Sequence, residues 1–193
     1  MYNRIRPLKF IKEIRSQQKN ENYTVEMMAN TILSGCGISE APIDIDKIAK
    51  TIGFKLYLTP KFKSENYSAF IVDRDSEIYS FGTGNMIVVR TSDEIEVKRI
   101  WQSICICHYI LYADENSNYN CTFSYNQMTA EANSKEKLLA RALLMPQKEL
   151  SMYVNSPLLS NIKGQEILKS VANAFMVPEE IAKLRLSEAG FEL

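Results

Sequence analysis

The chain of 193 residues has 23 basic and 23 acidic side chains, and this zero net charge gives it no general attraction to nucleic acid or an anionic membrane. Hydrophobic residues make up 46% of the sequence, enough for one globular domain with at most an appendage. Because it shows neither an apolar run of membrane-spanning length nor a signal-peptide pattern, we expect a cytoplasmic protein with no membrane partner. The four cysteines are expected to be reduced thiols there.

Residues 1–22 form a basic, amphipathic segment. Six lysines and arginines stand against one glutamate within its first 20 residues. Its apolar residues recur at helical spacing, at Ile5, Leu8, Ile11 and Ile14. We predict a helix that lays this apolar stripe on the domain and keeps its charges in water, with contact to nucleic acid or a partner as the alternative. Residues 23–193 are predicted to form the single domain.

The next segment predicts two helices and a strand. A helix over residues 24–33 is followed by the breaker run Ser-Gly-Cys-Gly at 34–37. Asp44 can cap the following helix, which is expected to end at Gly53. Residues 54–58 then alternate between apolar and polar side chains as a strand does.

Two further strands are predicted between residues 66 and 90, joined by an irregular hairpin. A Gly-Thr-Gly turn at 82–84 is weak evidence for a phosphate-binding loop, because no helix begins after it. We interpret this turn as a hairpin tip. The helix that follows is expected to be capped by one of three residues, Thr91, Ser92 or Asp93.

Residues 97–112, VKRIWQSICICHYILY, have the length and periodicity of a buried helix. One face carries His108, the sole histidine of the chain, together with Trp101, Ile104 and Leu111. A zinc peptidase helix of the His-Glu-x-x-His type needs two histidines one turn apart and a glutamate beside the first. The equivalent positions here are Ile104, Cys105 and His108. The frame of such a helix is therefore present, while most of its chemistry is missing.

Residues 113–129 are polar, rich in asparagine and tyrosine, and without periodicity. We predict a loop that serves as a lid or as a contact surface. Its aromatic residues are candidates for partner binding, because rigid aromatic side chains dominate binding hot spots: Tyr119, Phe123 and Tyr125. The alternative is that two of these three fill the cleft left by a lost metal.

The C-terminal part predicts a helix over residues 130–145, stopped by Pro146, and two further helices separated at Pro178. The last two helices, with the short break between them, are spaced like a DNA-binding helix-turn-helix, in which Lys183 and Arg185 could face phosphates. Three acids on the second helix would oppose the phosphate backbone: Glu179, Glu180 and Glu188. We therefore favour packing over DNA binding for this pair.

Five segments of the chain, in this order and at this spacing, resemble the ImmA/IrrE family of zinc metallopeptidases over about residues 42–190. They are PIDIDKIAKTIGFKLYL, SAFIVD, MIVVRTSDEIEVKRIWQSICICHYILY, LLARALLMP and VANAFMVPEEIAKLRL. The resemblance implies an α+β, zincin-like fold, with a small sheet, a central helix of the metal-site type and surrounding helices. Since members of that family act on repressors encoded beside them, it also implies a regulatory role in bacteria, phage or mobile elements.

The functional residues of that family carry over poorly. Ile104 stands in the place of the first zinc histidine and Cys105 in that of the catalytic glutamate, whereas His108 matches the second histidine. The third ligand, a glutamate, is replaced by Lys135, whose ammonium group offers a metal no lone pair. We therefore expect a degenerate, non-catalytic member that carries no zinc and binds a protein partner, such as a helix-turn-helix repressor.

Three alternatives remain open. Cys105, His108 and Cys121 could form a zinc site, and thus an active metallopeptidase with unusual ligands, although free cysteine more often packs as a small hydrophobe. A cysteine nucleophile with His108 as its base is a second alternative. The third is a regulator that contacts DNA through residues 1–20 or 164–190.

Overall fold

The computed structural model describes residues 8–62, 65, 67–72, 85–113, 120–124, 134–160, 162 and 164–191. These residues form eight α-helices and one four-stranded sheet, which confirms the predicted α+β class. In chain order the elements are α1 (Lys9–Gln17), α2 (Val25–Cys36), α3 (Ile45–Thr51), β1 (Lys55–Thr59), β2 (Tyr67–Val72), β3 (Met86–Arg90), α4 (Ile95–Tyr112), β4 (Asn120–Ser124), α5 (Lys135–Leu144), α6 (Gln147–Val154), α7 (Gln165–Phe175) and α8 (Glu179–Glu188). A short 3-10 turn, Pro157–Leu159, lies between α6 and α7. No described helix is both long and apolar enough to cross a membrane.

The sheet has the strand order β1-β3-β2-β4. β1 runs parallel to β3, whereas β2 is antiparallel to both β3 and β4, as the predicted hairpin between β2 and β3 requires. Because side chains alternate along a strand, Ile71 and Ile87 face the helices and join the main core. Phe70 and Val88 face the opposite way and form a smaller core with Phe62. The tip of the hairpin, residues 82–84, lies outside the described residues.

The central helix α4 contacts the sheet through β2 and β3, and it also contacts α1, α3 and α5. Its middle is buried on nearly every side, because apolar residues from Ile100 to Leu111 cover most of its circumference. The backbone before α4 differs from the prediction: Glu94 is the N-cap residue, and its side chain makes no capping hydrogen bond. Thr91, Ser92 and Asp93 are not caps because the turn places them before that position.

The carboxyl end of α4 is capped by α1. Arg15 Nε donates to Ile110 O at 2.8 Å, and its Nη2 donates to Tyr109 O at 3.0 Å. Gln18 Nε2 donates to Leu111 O at 2.8 Å. Helix ends leave carbonyl groups without intrahelical partners, and a cation is favourable there because of the helix dipole. The basic segment therefore contributes a charged group to packing, while other charges of the same helix, such as Lys12, are exposed.

Ile11 and Ile14 of the predicted apolar stripe of α1 lie in the main core, and Leu8 packs against it. Phe10, which was not part of that stripe, is also in the core, and Ile5 lies outside the described residues. α2 continues through the predicted breaker run as far as Cys36 and ends at Gly37, whose φ of +61° is left-handed. The glycine at position 35 is explained by a tertiary contact, because a Cβ atom there would lie 2.4 Å from Phe10 Cδ1. Gly35 therefore permits close contact between α1 and α2 and does not break the helix.

The predicted loop over residues 113–129 contains the edge strand β4, so this prediction was wrong for residues 120–124. β4 is held by antiparallel pairing with β2, a partner far away in sequence. The helix predicted over residues 130–145 begins at Lys135, while residues 130–133 lie outside the described residues. The short helix α6 was not predicted.

Candidate functional site

The sole histidine lies where α4, α5 and β4 meet. We call its surroundings the His108 cluster: His108 and Tyr112 from α4, Phe123 from β4, and Glu136 from α5. His108 and Tyr112 are one turn apart and share a face of α4. Phe123 reaches the cluster because residues at 121 and 123 both turn towards the helices from β4.

Two polar contacts organise the cluster. His108 Nδ1 lies 3.9 Å from Glu136 Oε1, and the Tyr112 hydroxyl donates to Glu136 Oε2 at 3.3 Å. The imidazole ring also makes edge contacts with two aromatic rings, at centroid distances of 4.8 Å for Tyr112 and 5.3 Å for Phe123. The histidine is thus held between a carboxylate and two aromatic rings, and 22% of its side chain is exposed.

The imidazole of His108 is neutral at pH 7. Burial lowers its pKa from the ordinary value, and the smaller opposing influence is the negative charge of Glu136, which raises it. The contact between His108 and Glu136 is therefore not a full ion pair at that pH. Burial and Glu136 together raise the pKa of Tyr112, so its phenol stays protonated and available as a donor.

Ile104 and Cys105, to which the resemblance would assign the places of the first histidine and the glutamate, belong to the main core. Their exposed fractions are 1% and 0%. Burial raises the pKa of the Cys105 thiol well above its ordinary value, and it does the same for Cys107. Because the thiolate is the form that attacks carbonyl groups, neither thiol is activated as a nucleophile.

The alternative zinc site does not assemble. Cys121 is half-buried on β4 and lies near enough to Cys105 to raise its pKa further. Within the described part of the chain, however, no three His, Cys, Asp or Glu side chains are grouped so that they could hold a metal ion. The set of Cys105, His108 and Cys121 lies within that part.

The carboxylate that faces His108 comes from Glu136, the residue after the one to which the resemblance points. Lys135 extends elsewhere, and its Nζ donates to Gln18 O at 3.2 Å, near the carboxyl end of α1. The roles of Glu136 and Tyr112 were missed in the sequence. The spacing of His108 and Tyr112 was a usable signal, but the choice between Lys135 and Glu136 depends on how α5 is rotated against α4.

Of the three aromatic candidates for partner binding, the structure describes only Phe123. This side chain is 7% exposed and packs between His108 and Trp101, whose ring centroid is 6.4 Å away. This burial favours the alternative, that Phe123 fills the space beside the helix, because the residue belongs to a strand whose inward face covers α4. Tyr119 and Tyr125 lie outside the described residues.

Arg185 is not available to DNA. The residue is 2% exposed, its Nε donates to Met145 O at 2.9 Å, and its Nη2 lies 2.7 Å from Glu26 Oε1. Its guanidinium group therefore joins α8 to α2 and to the end of α5. Lys183 is exposed, so the predicted pair of phosphate contacts is reduced to one lysine on a helix that also carries three glutamates.

We expect Phe123→Ala to lower the free energy of unfolding by roughly 3 kcal/mol, as is usual when a large aromatic side chain leaves a core. The cavity would lie directly over His108 and Trp101. Urea unfolding followed by circular dichroism measures this change, and Leu158→Ala serves as the control because Leu158 is 80% exposed. Equal stabilities of the two variants would show that Phe123 does not cover the helix.

The resemblance to the ImmA/IrrE family rests on the order and spacing of five short segments. The fold agrees with the class which that resemblance implies, namely a small mixed sheet with a buried helix and further helices around it. The sequence matches no protein-family model and no curated protein.

Proposed function

We propose that this protein is a binding module with a peptidase-like, zincin-type frame, which recognises a protein partner of the helix-turn-helix repressor class without cleaving it. The observation that carries the proposal is the burial of Ile104 and Cys105 at 1% and 0% exposure, in the positions where a peptidase of this type keeps its ligand and its general base. An apolar side chain offers zinc no donor atom, and a protonated thiol is not a general base that can activate water as a glutamate does.

The donor atoms around His108 do not fit a peptidase zinc. The imidazole and the carboxylate of Glu136 offer two potential ligands, whereas a catalytic zinc takes three from the protein and leaves a position for water. The ring of Phe123 packs against the imidazole at a centroid distance of 5.3 Å. These groups are instead suited to holding α4, α5 and β4 together, so that the region around His108 is a stable surface.

The partner surface of this proposal begins at Tyr112. This residue is 47% exposed, although its hydroxyl is fixed by Glu136 and its ring contacts His108. A partly exposed tyrosine in a fixed orientation is typical of the residues that anchor protein interfaces. The chain leaves α4 at this residue and continues into the segment with Tyr119 and Tyr125, which we propose as further contacts.

The test uses the helix-turn-helix repressor encoded nearest to this protein's gene. We expect titration calorimetry to show saturable binding, and gel electrophoresis to show an intact repressor after prolonged incubation with zinc. Tyr112→Ala should weaken binding by about tenfold, the loss of roughly 1.4 kcal/mol expected for an anchor residue. Met152→Ala is the matched control, because Met152 is 66% exposed and lies on α6, outside the His108 cluster.

Two results would contradict the proposal. One is specific cleavage of the repressor accompanied by about one zinc per chain that survives dialysis, as a catalytic site of the usual type would give. The other is a lack of measurable binding by the folded wild-type protein.

A further inference from the structure

The strand β1 forms one edge of the sheet and, among the described residues, pairs with β3 alone. Lys55 N donates to Asn85 O, and Thr59 O accepts from Thr91 N, so both ends of β1 direct their peptide groups towards the β3 side. Because this direction alternates along a strand, Leu56 and Leu58 direct their N–H and C=O groups away from the sheet. The outer edge of β1 thus offers two donors and two acceptors.

Exposed apolar side chains lie beside this edge. Leu58 is 52% exposed, and Ile95, at the start of α4, is 53% exposed. Both line a groove of about 500 Å³, together with Leu56 and residues from the first turns of α3 and from α4. Leu56 and Leu58 share the helix-facing side of β1, and Tyr57 points to the opposite side, where it packs on the smaller core.

We propose that this edge and groove form a two-fold interface with a second copy of the chain. In it, β1 pairs antiparallel with β1 of the other copy, and the symmetry axis passes between the two Tyr57 residues. Leu56 then lies opposite Leu58 of the other copy, and each such pair exchanges two hydrogen bonds. The two sheets continue into one, and the leucines of each copy extend towards the groove of the other.

The second copy is favoured as the occupant because the strand is complementary to itself. Leu56 and Leu58 are placed symmetrically about Tyr57, so an isologous contact matches every outward-facing peptide group of these two residues. The same contact brings leucine side chains of the two copies together. The rim of the groove carries Asp44 and Asp46 as well as Lys98. Both signs of charge are therefore present on one surface, so acidic groups of one copy can attract basic groups of the other.

The length of the interface is limited. Lys55 is exposed at one end of β1, and Pro60, which has no N–H to donate, follows the other end. Pairing is thus confined to residues 56–58, and we expect a dimer whose population depends on protein concentration.

Sedimentation equilibrium of the full chain tests this inference, which does not depend on the proposed function. We expect a monomer–dimer equilibrium for the wild type. Leu58→Lys should weaken it by at least about tenfold, because two lysines would be brought into one apolar interface. Leu158→Lys is the matched control, since Leu158 is an exposed leucine far along the chain at the 3-10 turn, and it should leave the equilibrium unchanged.

A cross-link tests the register. Opposed residues that do not exchange hydrogen bonds in an antiparallel pair have Cα atoms about 4.5 Å apart, within the range that a disulfide spans. Tyr57→Cys should therefore give a covalent dimer on mild oxidation, whereas Leu158→Cys should not. A wild type that stays monomeric into the millimolar range, a dimer insensitive to Leu58→Lys, or a folded Tyr57→Cys variant that forms no covalent dimer would each overturn the proposal.

Discussion

Arg185→Ala is expected to lower the free energy of unfolding by about 3 to 5 kcal/mol, the loss usual when one partner of a buried ion pair is removed. Arg185 is 2% exposed and makes both an ion pair with Glu26 and a hydrogen bond to Met145 O. Removal of its side chain leaves a cavity between α8 and α2, and the carboxylate of Glu26 loses its partner. The 30% exposure of the Glu26 side chain allows water to reach that carboxylate, so we expect a value near the lower limit.

Chemical denaturation in urea measures this loss. Lys183→Ala is the control, because this residue lies two positions earlier on the exposed side of α8. Arg185→Met separates the effects of volume and charge, since methionine fills much of the space and carries no guanidinium group. A loss below about 1 kcal/mol for Arg185→Ala, the level of an exposed ion pair, would show that the guanidinium group is not part of the core.

The second large effect is the zinc binding that we expect Ile104→His combined with Cys105→Glu to create. These changes place a second histidine one turn before His108 and a carboxylate beside it, while Glu136 already faces His108 and can complete the ligand set. Without metal, each new polar group in the core should cost roughly 1 to 3 kcal/mol. Zinc at a thousandfold excess over its dissociation constant should then stabilise the variant by about 4.1 kcal/mol.

Thermal melts with zinc and with a chelator provide the measurement, and the wild type should show no difference between them. The matched control is Ile104→Gln with Cys105→Glu, which has a similar polar burden and lacks the second imidazole. Adding Lys135→Glu should give no further stabilisation by zinc, because Lys135 extends towards Gln18. A response to zinc that requires Lys135→Glu would mean that α5 is rotated relative to the arrangement seen here.

The features that were predicted correctly depend on local periodicity. α4 was expected over residues 97–112 and spans Ile95–Tyr112, because apolar residues at helical spacing continue along the whole segment. Asp44 was expected as a helix cap, and its carboxylate does accept from Lys47 N at 2.9 Å. Such signals lie within a few residues of one another and need no knowledge of the rest of the chain.

The features that were missed depend on distant contacts. Gly35 reads as a helix breaker, yet it remains helical because Phe10 packs against it. Phe123 reads as part of a polar loop, yet pairing with β2 makes a strand of it and turns its ring towards α4. The candidate site shows the same difference. The absence of a histidine at position 104 and of a glutamate at position 105 is visible in the sequence, whereas the contact of Glu136 with His108 appears only when α5 is placed beside α4.

The hydrogen bonds from Arg15 to the end of α4 have a consequence for synthesis on the ribosome. Arg15 and Ile110 are 95 residues apart, so at about 5 to 20 residues per second α1 is made roughly 5 to 20 seconds before its acceptor exists. A nine-residue helix is too short to be stable alone, and during this interval α1 can pack on α2 but not on α4. Until α4 has been completed, part of the apolar face of α1 therefore stays uncovered, and transiently exposed apolar surface of this kind is what chaperones bind.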